Sequence, residues 1–183
     1  MSRLRKQYNK TVVKDLQKEL SIANVMSVPK IEKVVVTIGT GKALKDAKFL
    51  DTMIENLRRI TGLQPVKTRA KESISNFGIR EGMTVGLQVT LRKEKMYDFV
   101  DKLVNITLPR VRDFQGLSTS SFDGKGSYTI GFKEHVVFPE IKSSDVARIH
   151  GLGVTISTTA SSKEETYALL KALGFPFKKE DRE

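Results

Sequence analysis

The chain contains no cysteine, and that absence excludes thiol catalysis, disulfide bridges and thiolate metal sites. It has only two histidines, His135 and His150, and neither has a second ligand at metal-binding spacing. Serines are plentiful around Ser118 to Ser121, but no G-x-S-x-G elbow presents one of them as a nucleophile. No apolar run approaches the length of a membrane span. The amino-terminal MSRLRKQYNK carries basic residues with no apolar stretch behind them, so it does not read as a secretory signal. Cytoplasmic residence without a membrane partner is the expectation.

Acidic side chains are also in short supply. Lys and Arg number 32 against 21 Asp and Glu, a formal net charge of +11 with a pI near 9.8. That excess goes beyond what solubility needs. It favours a polyanionic partner, because clustered Lys and Arg displace counterions from nucleic acid. Hydrophobic residues at 39% and charged residues at 29% describe a soluble globular chain, expected to form one domain over residues 1–183.

Taken in order, Leu4, Tyr8, Val12, Leu16 and Leu20 recur every four residues and mark one stripe of a helix from Arg3 to Leu20. Its polar side is basic, with Arg3, Arg5, Lys6, Lys10 and Lys14 and no acid before Asp15. In KIEKVVVTIG, Val34, Val36 and Ile38 alternate with Lys33, Val35 and Thr37, a strand with one core face. A second helix is expected from Leu44 to Thr61, with Leu44, Ala47, Leu50, Ile54, Leu57 and Ile60 inward and Gly62 as its left-handed cap. A short strand is expected in Pro65 to Lys71, then alternation of Val85, Leu87, Val89 and Leu91 against Gly86, Gln88, Thr90 and Arg92. Met96, Phe99, Val100 and Leu103 mark a helix from Lys93 to Ile106. Further strands are expected around Tyr128, Ile130 and Phe132, and where Val154, Ile156 and Thr158 alternate with Thr155, Ser157 and Thr159. Ser162 and Glu165 form a capping box for a last helix, and the tail FKKEDRE is expected to fray.

These elements predict an α+β fold, an antiparallel sheet with helices packed on one face only. The other face is left open. Its residues, Lys33, Thr37, Gln88, Thr90, Arg92, Thr155, Ser157 and Thr159, suit phosphates and the 2′-hydroxyls of an RNA minor groove. Two glycine-bearing loops, near 70–84 and 108–126, read as long and protruding. Loops of such length are usually functional or disordered.

The VVVTIGTGK junction has the order of a phosphate loop: strand, glycine turn, lysine, helix. A Walker loop needs glycine where Val36 stands and Ser or Thr after Lys42, where Ala43 stands. A dinucleotide loop needs its third glycine where Leu44 stands. A small enzyme binding a phosphorylated ligand through the Gly39 to Lys42 turn therefore remains only the alternative. No cofactor is expected. IGFKEHVVF fails as an RNA recognition motif, because Lys133 and Glu134 replace its small and aromatic residues.

PRVRDFQGLSTSSFDGKGSYTIGFKE, followed by FPEI, TISTTA and the ending GFPFKK, resembles the bacterial-type family of large-subunit ribosomal protein L five, which binds 5S rRNA. VPKIEKVVVTIGTGKA resembles the family's first strand and turn, SISNFGIREG its long mobile loop and VTLR its next strand. The resemblance implies a scaffold with no catalysis. By it, the sheet face and nearby basic residues hold 5S rRNA in the central protuberance, among large-subunit rRNA and neighbouring ribosomal proteins. The implied rRNA-binding residues are Arg3, Arg5, Lys10, Lys33, Thr37, Gln88, Thr90, Arg92, Thr155 and Ser157. The loop from Ser73 to Gly82 is implied to approach the elbow of peptidyl-site tRNA, through Ser73, Ser75, Asn76, Phe77, Ile79 and Arg80. Arg110, Arg112 and Asp113, with the surfaces around 134 to 147, are implied to face the small-subunit head and its thirteenth protein. The chain departs from its relatives at Thr37, where Asn is frequent, at Leu63, where Gln is frequent, and at Glu72 and Gly78, where lysine is common.

Overall fold

A computed structural model describes residues 2–41, 46–141 and 148–178. Lys42, Ala43 and Leu44, the surface at 142–147 and the tail from Lys179 lie outside the described residues. Five strands, β1 (Ile31–Gly39), β2 (Val66–Arg69), β3 (Thr84–Leu91), β4 (Ser127–Phe132) and β5 (Leu152–Thr158), form one antiparallel sheet in the order β2-β3-β1-β5-β4. The chain divides into two compact units, one of Met1–Val34, Leu91–Ile130 and Thr155–Glu183, the other of Val35–Thr90 and Gly131–Val154. Among the described residues no helix is long and apolar enough to cross a membrane.

In the first unit, α1 (Arg3–Gln7) continues through a π-helical segment, Tyr8–Val12, into α2 (Val13–Glu19). The widened turn has a cause in the sequence. An apolar repeat of four is longer than the 3.6 residues of an α-turn, so the stripe would drift off the core; a π segment takes up the drift. Leu4, Tyr8, Val12 and Leu16 are accordingly all buried, and Leu20 is half-buried. The Tyr8 hydroxyl donates to the Pro29 carbonyl at 2.9 Å, tying this helix to the approach to β1. Helix α1 packs along α4 (Lys93–Lys102), and α2 along α5 (Lys163–Ala172). Met96, Phe99, Val100 and Leu103 point inward as expected. The Ser162 hydroxyl accepts from the Glu165 N–H at 3.2 Å, but the Glu165 carboxylate returns to the Ser161 N–H rather than to the cap residue itself.

The expectation of an entirely protruding 108–126 loop needs correction. Its second half is pinned. Leu117 is buried and bridges Phe177, its N–H donating to the Pro176 carbonyl at 2.8 Å and its carbonyl accepting from the Lys178 N–H at 3.0 Å. Phe122 lies in a cluster with Tyr128, Tyr167 and Phe177, its ring 4.4 Å from that of Tyr128. Phe177 is thus docked, although the tail it begins was expected to fray. Apolar residues spaced too irregularly for a helix or strand still find a core when two loops supply them together.

In the second unit, α3 (Ala47–Thr61) is capped by Asp46, whose carboxylate accepts from the Phe49 N–H at 3.1 Å, and ends at Gly62 with φ +66°. Its buried apolar residues are Phe49, Met53, Leu57 and Ile60. The expected stripe through Ala47, Leu50 and Ile54 is therefore rotated. Ala47 is exposed, and Leu50 and Ile54 are half-buried, because the helix is apolar over a wide arc and packing, not pattern, selects its centre. Strands β2 and β3 pair with Val66 opposite Gln88 and Thr68 opposite Gly86. Inward residues Val36, Ile38, Leu87, Val89, Phe132 and Val154 complete this core.

Candidate nucleic-acid interface

Strand alternation positions the polar side chains. Each core residue of β1, β3 and β5 forces its neighbour to the opposite face. In the first unit this leaves Lys33, Thr155 and Ser157 half-buried and Arg92 exposed. Thr129 of β4 joins them, its hydroxyl 3.1 Å from that of Thr155. The sequence reading omitted Thr129, although its place between Tyr128 and Ile130 was a sufficient signal. Thr159 is exposed, its hydroxyl accepting from the Lys30 N–H at 3.1 Å. Among the described strand residues the only carboxylate is Glu32, and it lies 3.7 Å from the Arg92 guanidinium.

The basic helix face is also partly neutralised. Arg3 donates two hydrogen bonds to Asp101, at 2.6 and 3.1 Å, and these bonds, followed by the charge pairing, hold its guanidinium above the usual arginine pKa. Arg5 lies 3.6 Å from Glu94. Lys10 is exposed on the same helix. Exposed pairs of this kind are worth little.

In the second unit, Thr37 and Thr90 are exposed and Gln88 is half-buried. The Thr37 hydroxyl donates to the Gly153 carbonyl at 3.5 Å. Gly86 and Gly153 keep this surface low: a Cβ at Gly86 would stand 2.7 Å from the Thr68 hydroxyl, and one at Gly153 would stand 3.2 Å from that of Thr37. Leu63 is half-buried just beyond Gly62.

The loop between β2 and β3 is a built turn. Ile74 and Ile79 exchange backbone hydrogen bonds at 2.8 and 3.1 Å around a 3₁₀ turn, Ser75–Phe77, closed by Gly78 at φ +63°. The Ser73 hydroxyl accepts from the Glu81 N–H at 2.9 Å. Ser75, Asn76 and Arg80 are exposed and Ile79 is half-buried, while Phe77 stands 72% exposed at the tip. Arg110, Arg112 and Asp113 are likewise exposed, after a 3₁₀ turn at Leu108–Arg110, with Asp113 in the left-handed region at φ 51°.

Among the described residues no group of three or more His, Asp or Glu side chains is placed to hold a metal ion. Asp123 serves its own turn, accepting from the Lys125 and Ser127 N–H groups at 2.8 Å each, bonds that hold its carboxyl below the usual range. The two histidines, which have no metal-ligand spacing in the sequence, are stacked on each other. Their rings lie 3.9 Å apart and nearly parallel, both buried. Burial first, and then the neighbouring His135 ring, push the His150 pKa down to about 4. Their separation of 15 residues along the chain hid this pair from the sequence.

The chain matches the family described as "Ribosomal protein L5" over residues 24–80, and the carboxy-terminal region of the same ribosomal family over residues 84–177. It is 51% identical over 178 residues to the large ribosomal subunit protein uL5 of Geotalea uraniireducens, covering 97% of this chain and 99% of that one. It is 52% identical over 179 residues to the uL5 protein of Caldanaerobacter subterraneus subsp. tengcongensis, covering 98% and 100%. With the family matched along both halves and half of all residues shared over nearly the whole length, the chain belongs to the ribosomal protein L5 family, whose members are structural ribosomal proteins and not enzymes.

Proposed function

We propose that this protein is a structural constituent of the large ribosomal subunit, in the ribosome of the cytoplasm, holding 5S rRNA in the central protuberance as a single domain without cofactor. The observation that carries the reading is the open strand face. It offers hydroxyl, amide and cationic groups, and its only nearby strand carboxylate is matched by Arg92. The exposed turn from Ser73 to Arg80 contacts peptidyl-site tRNA, and Arg110, Arg112 and Asp113 form a bridge to the small-subunit head and its thirteenth protein. The exposure of Phe77 and Arg80 in one case, and of the two arginines in the other, supports these assignments.

A filter-binding titration with purified 5S rRNA tests the central claim. Tight binding that weakens steeply with salt is expected, with a log–log slope of roughly one or less per phosphate contacted. Binding no tighter than to an unrelated hairpin of equal length overturns it.

A further inference from the structure

We infer that the groove between α2 and α5 in the first unit docks a segment of a partner protein, one with an aromatic or branched aliphatic anchor and carboxylates beside it. The groove encloses about 830 Å³, within the size range of sites that take a ligand or a few side chains. None of its lining residues belongs to a strand, so it is separate from the face assigned to rRNA. Much of its lining is apolar: Ala168 and Phe175 are buried, Leu20, Tyr167 and Phe177 are half-buried, and Pro176 is exposed. One wall is fixed by the backbone. The Pro176 carbonyl accepts from the Leu117 N–H at 2.8 Å, the Lys178 N–H donates to the Leu117 carbonyl at 3.0 Å, and the Phe175 N–H donates to the Leu170 carbonyl at 3.1 Å. A wall held in this way lowers the ordering cost of binding.

The rim specifies the chemistry of the occupant. Lys163, Lys171 and Lys178 are exposed around the apolar lining, and none of them lies in an ion pair among the described residues. The Lys171 ammonium stands 5.8 Å from the centre of the Tyr167 ring, which keeps a charge beside the apolar wall. Of the two carboxylates on the rim, Glu164 is engaged by its own backbone N–H and by the Ser162 hydroxyl. The unspent groups are therefore mainly cationic, and carboxylates complement them. An apolar centre with a charged rim is the pattern of a protein–protein contact. Other occupants fit worse. A second copy would bring its own net charge of +11 to a rim rich in lysine. The chain's own KEDRE, after Lys178, has no apolar side chain to meet the lining. RNA would lay phosphates beside Glu19 and Glu164, whereas the described strand residues carry one carboxylate, and Arg92 matches it.

The test is a chemical-shift titration of the isotope-labelled full chain with three short peptides: Glu-Glu-Phe-Leu-Glu-Glu, its analogue Lys-Lys-Phe-Leu-Lys-Lys, and Glu-Glu-Ala-Ala-Glu-Glu. The first should shift the amides of Tyr167, Lys171 and Phe177. It should bind at least about tenfold tighter than either control, because one control reverses the rim charges and the other removes the apolar burial. Lys163→Glu with Lys171→Glu changes two exposed side chains, and its amide spectrum verifies the fold; it should reverse the preference between the two charged peptides. Shifts scattered over the basic surface overturn the inference, as does equal binding of the alanine peptide or a preference that the variant leaves unreversed. Ultraviolet crosslinking of the protein to 5S rRNA tests the competing occupant. Crosslinks at Tyr167 or Phe177 make the groove an RNA site and overturn the inference, whereas peptide binding that persists beside bound 5S rRNA supports it.

Discussion

Arg92 separates what a side chain does for the fold from what it offers a partner. Its guanidinium is more than half exposed and lies 3.7 Å from Glu32, a pairing worth less than about 1 kcal/mol. Arg92→Ala should therefore change unfolding stability by less than about 1 kcal/mol while weakening 5S rRNA binding; a urea melt and a filter-binding titration check the two halves. The histidines show the reverse case. His150 is buried against His135, and its pKa falls from an ordinary 6.5 to about 4, with His135 also lowered by burial. The unfolded chain thus binds more protons than the folded one as pH drops from about 6.5 toward about 4, and stability declines through that window. Between pH 7 and pH 5 the loss for His150 should be about 1–2 kcal/mol, read by urea unfolding, and His150→Gln should flatten the slope. The polar members of the strand face were legible one by one from alternation. The histidine stack was not, since only the turn at His135–Val137 and the approach to β5 bring the rings together.

Among the elements, the amino-terminal helix carried its own irregularity in its spacing. A repeat of four implies a turn wider than 3.6 residues, and the π segment at Tyr8–Val12 is where it appears. Helix α3 carried less information: its carboxy-terminal end was marked by Gly62, but its start was expected at Leu44 rather than after the Asp46 cap, and its wide apolar arc left the inward face to be chosen by packing. The 117–122 segment was the least legible, because its partner is Phe177, far along the chain. Gly116 is the hinge of that contact. It has φ +103°, and a Cβ there would stand 2.8 Å from the Lys178 nitrogen. Gly116→Val should cost about 2–3 kcal/mol by adding backbone strain and breaking the bridge. Limited proteolysis should then cut within 117–122 at lower urea than in wild type.

For the molecule as a whole, the charge of +11 acts on partners rather than on the fold. If the strand face holds 5S rRNA and the exposed arginines of the 108–113 turn serve the other subunit, the two functions separate by mutation. Arg110→Ala with Arg112→Ala should leave 5S rRNA affinity within about twofold of wild type, because surface charges away from a contact act weakly across the screening length. It should lower the yield of associated subunits in a sucrose-gradient assay. Loss of 5S rRNA binding in that variant would reassign the turn to RNA. By itself the sequence determined the α+β class, the alternating strands and the basic, cysteine-free surface, because these follow from local periodicity and residue chemistry. Only the tertiary structure decided that Thr129 faces Thr155 at 3.1 Å, that Leu117 and Phe122 are anchored and that the histidines stack. Those pairings join residues distant in the chain, and their registers are set by packing that no local pattern records.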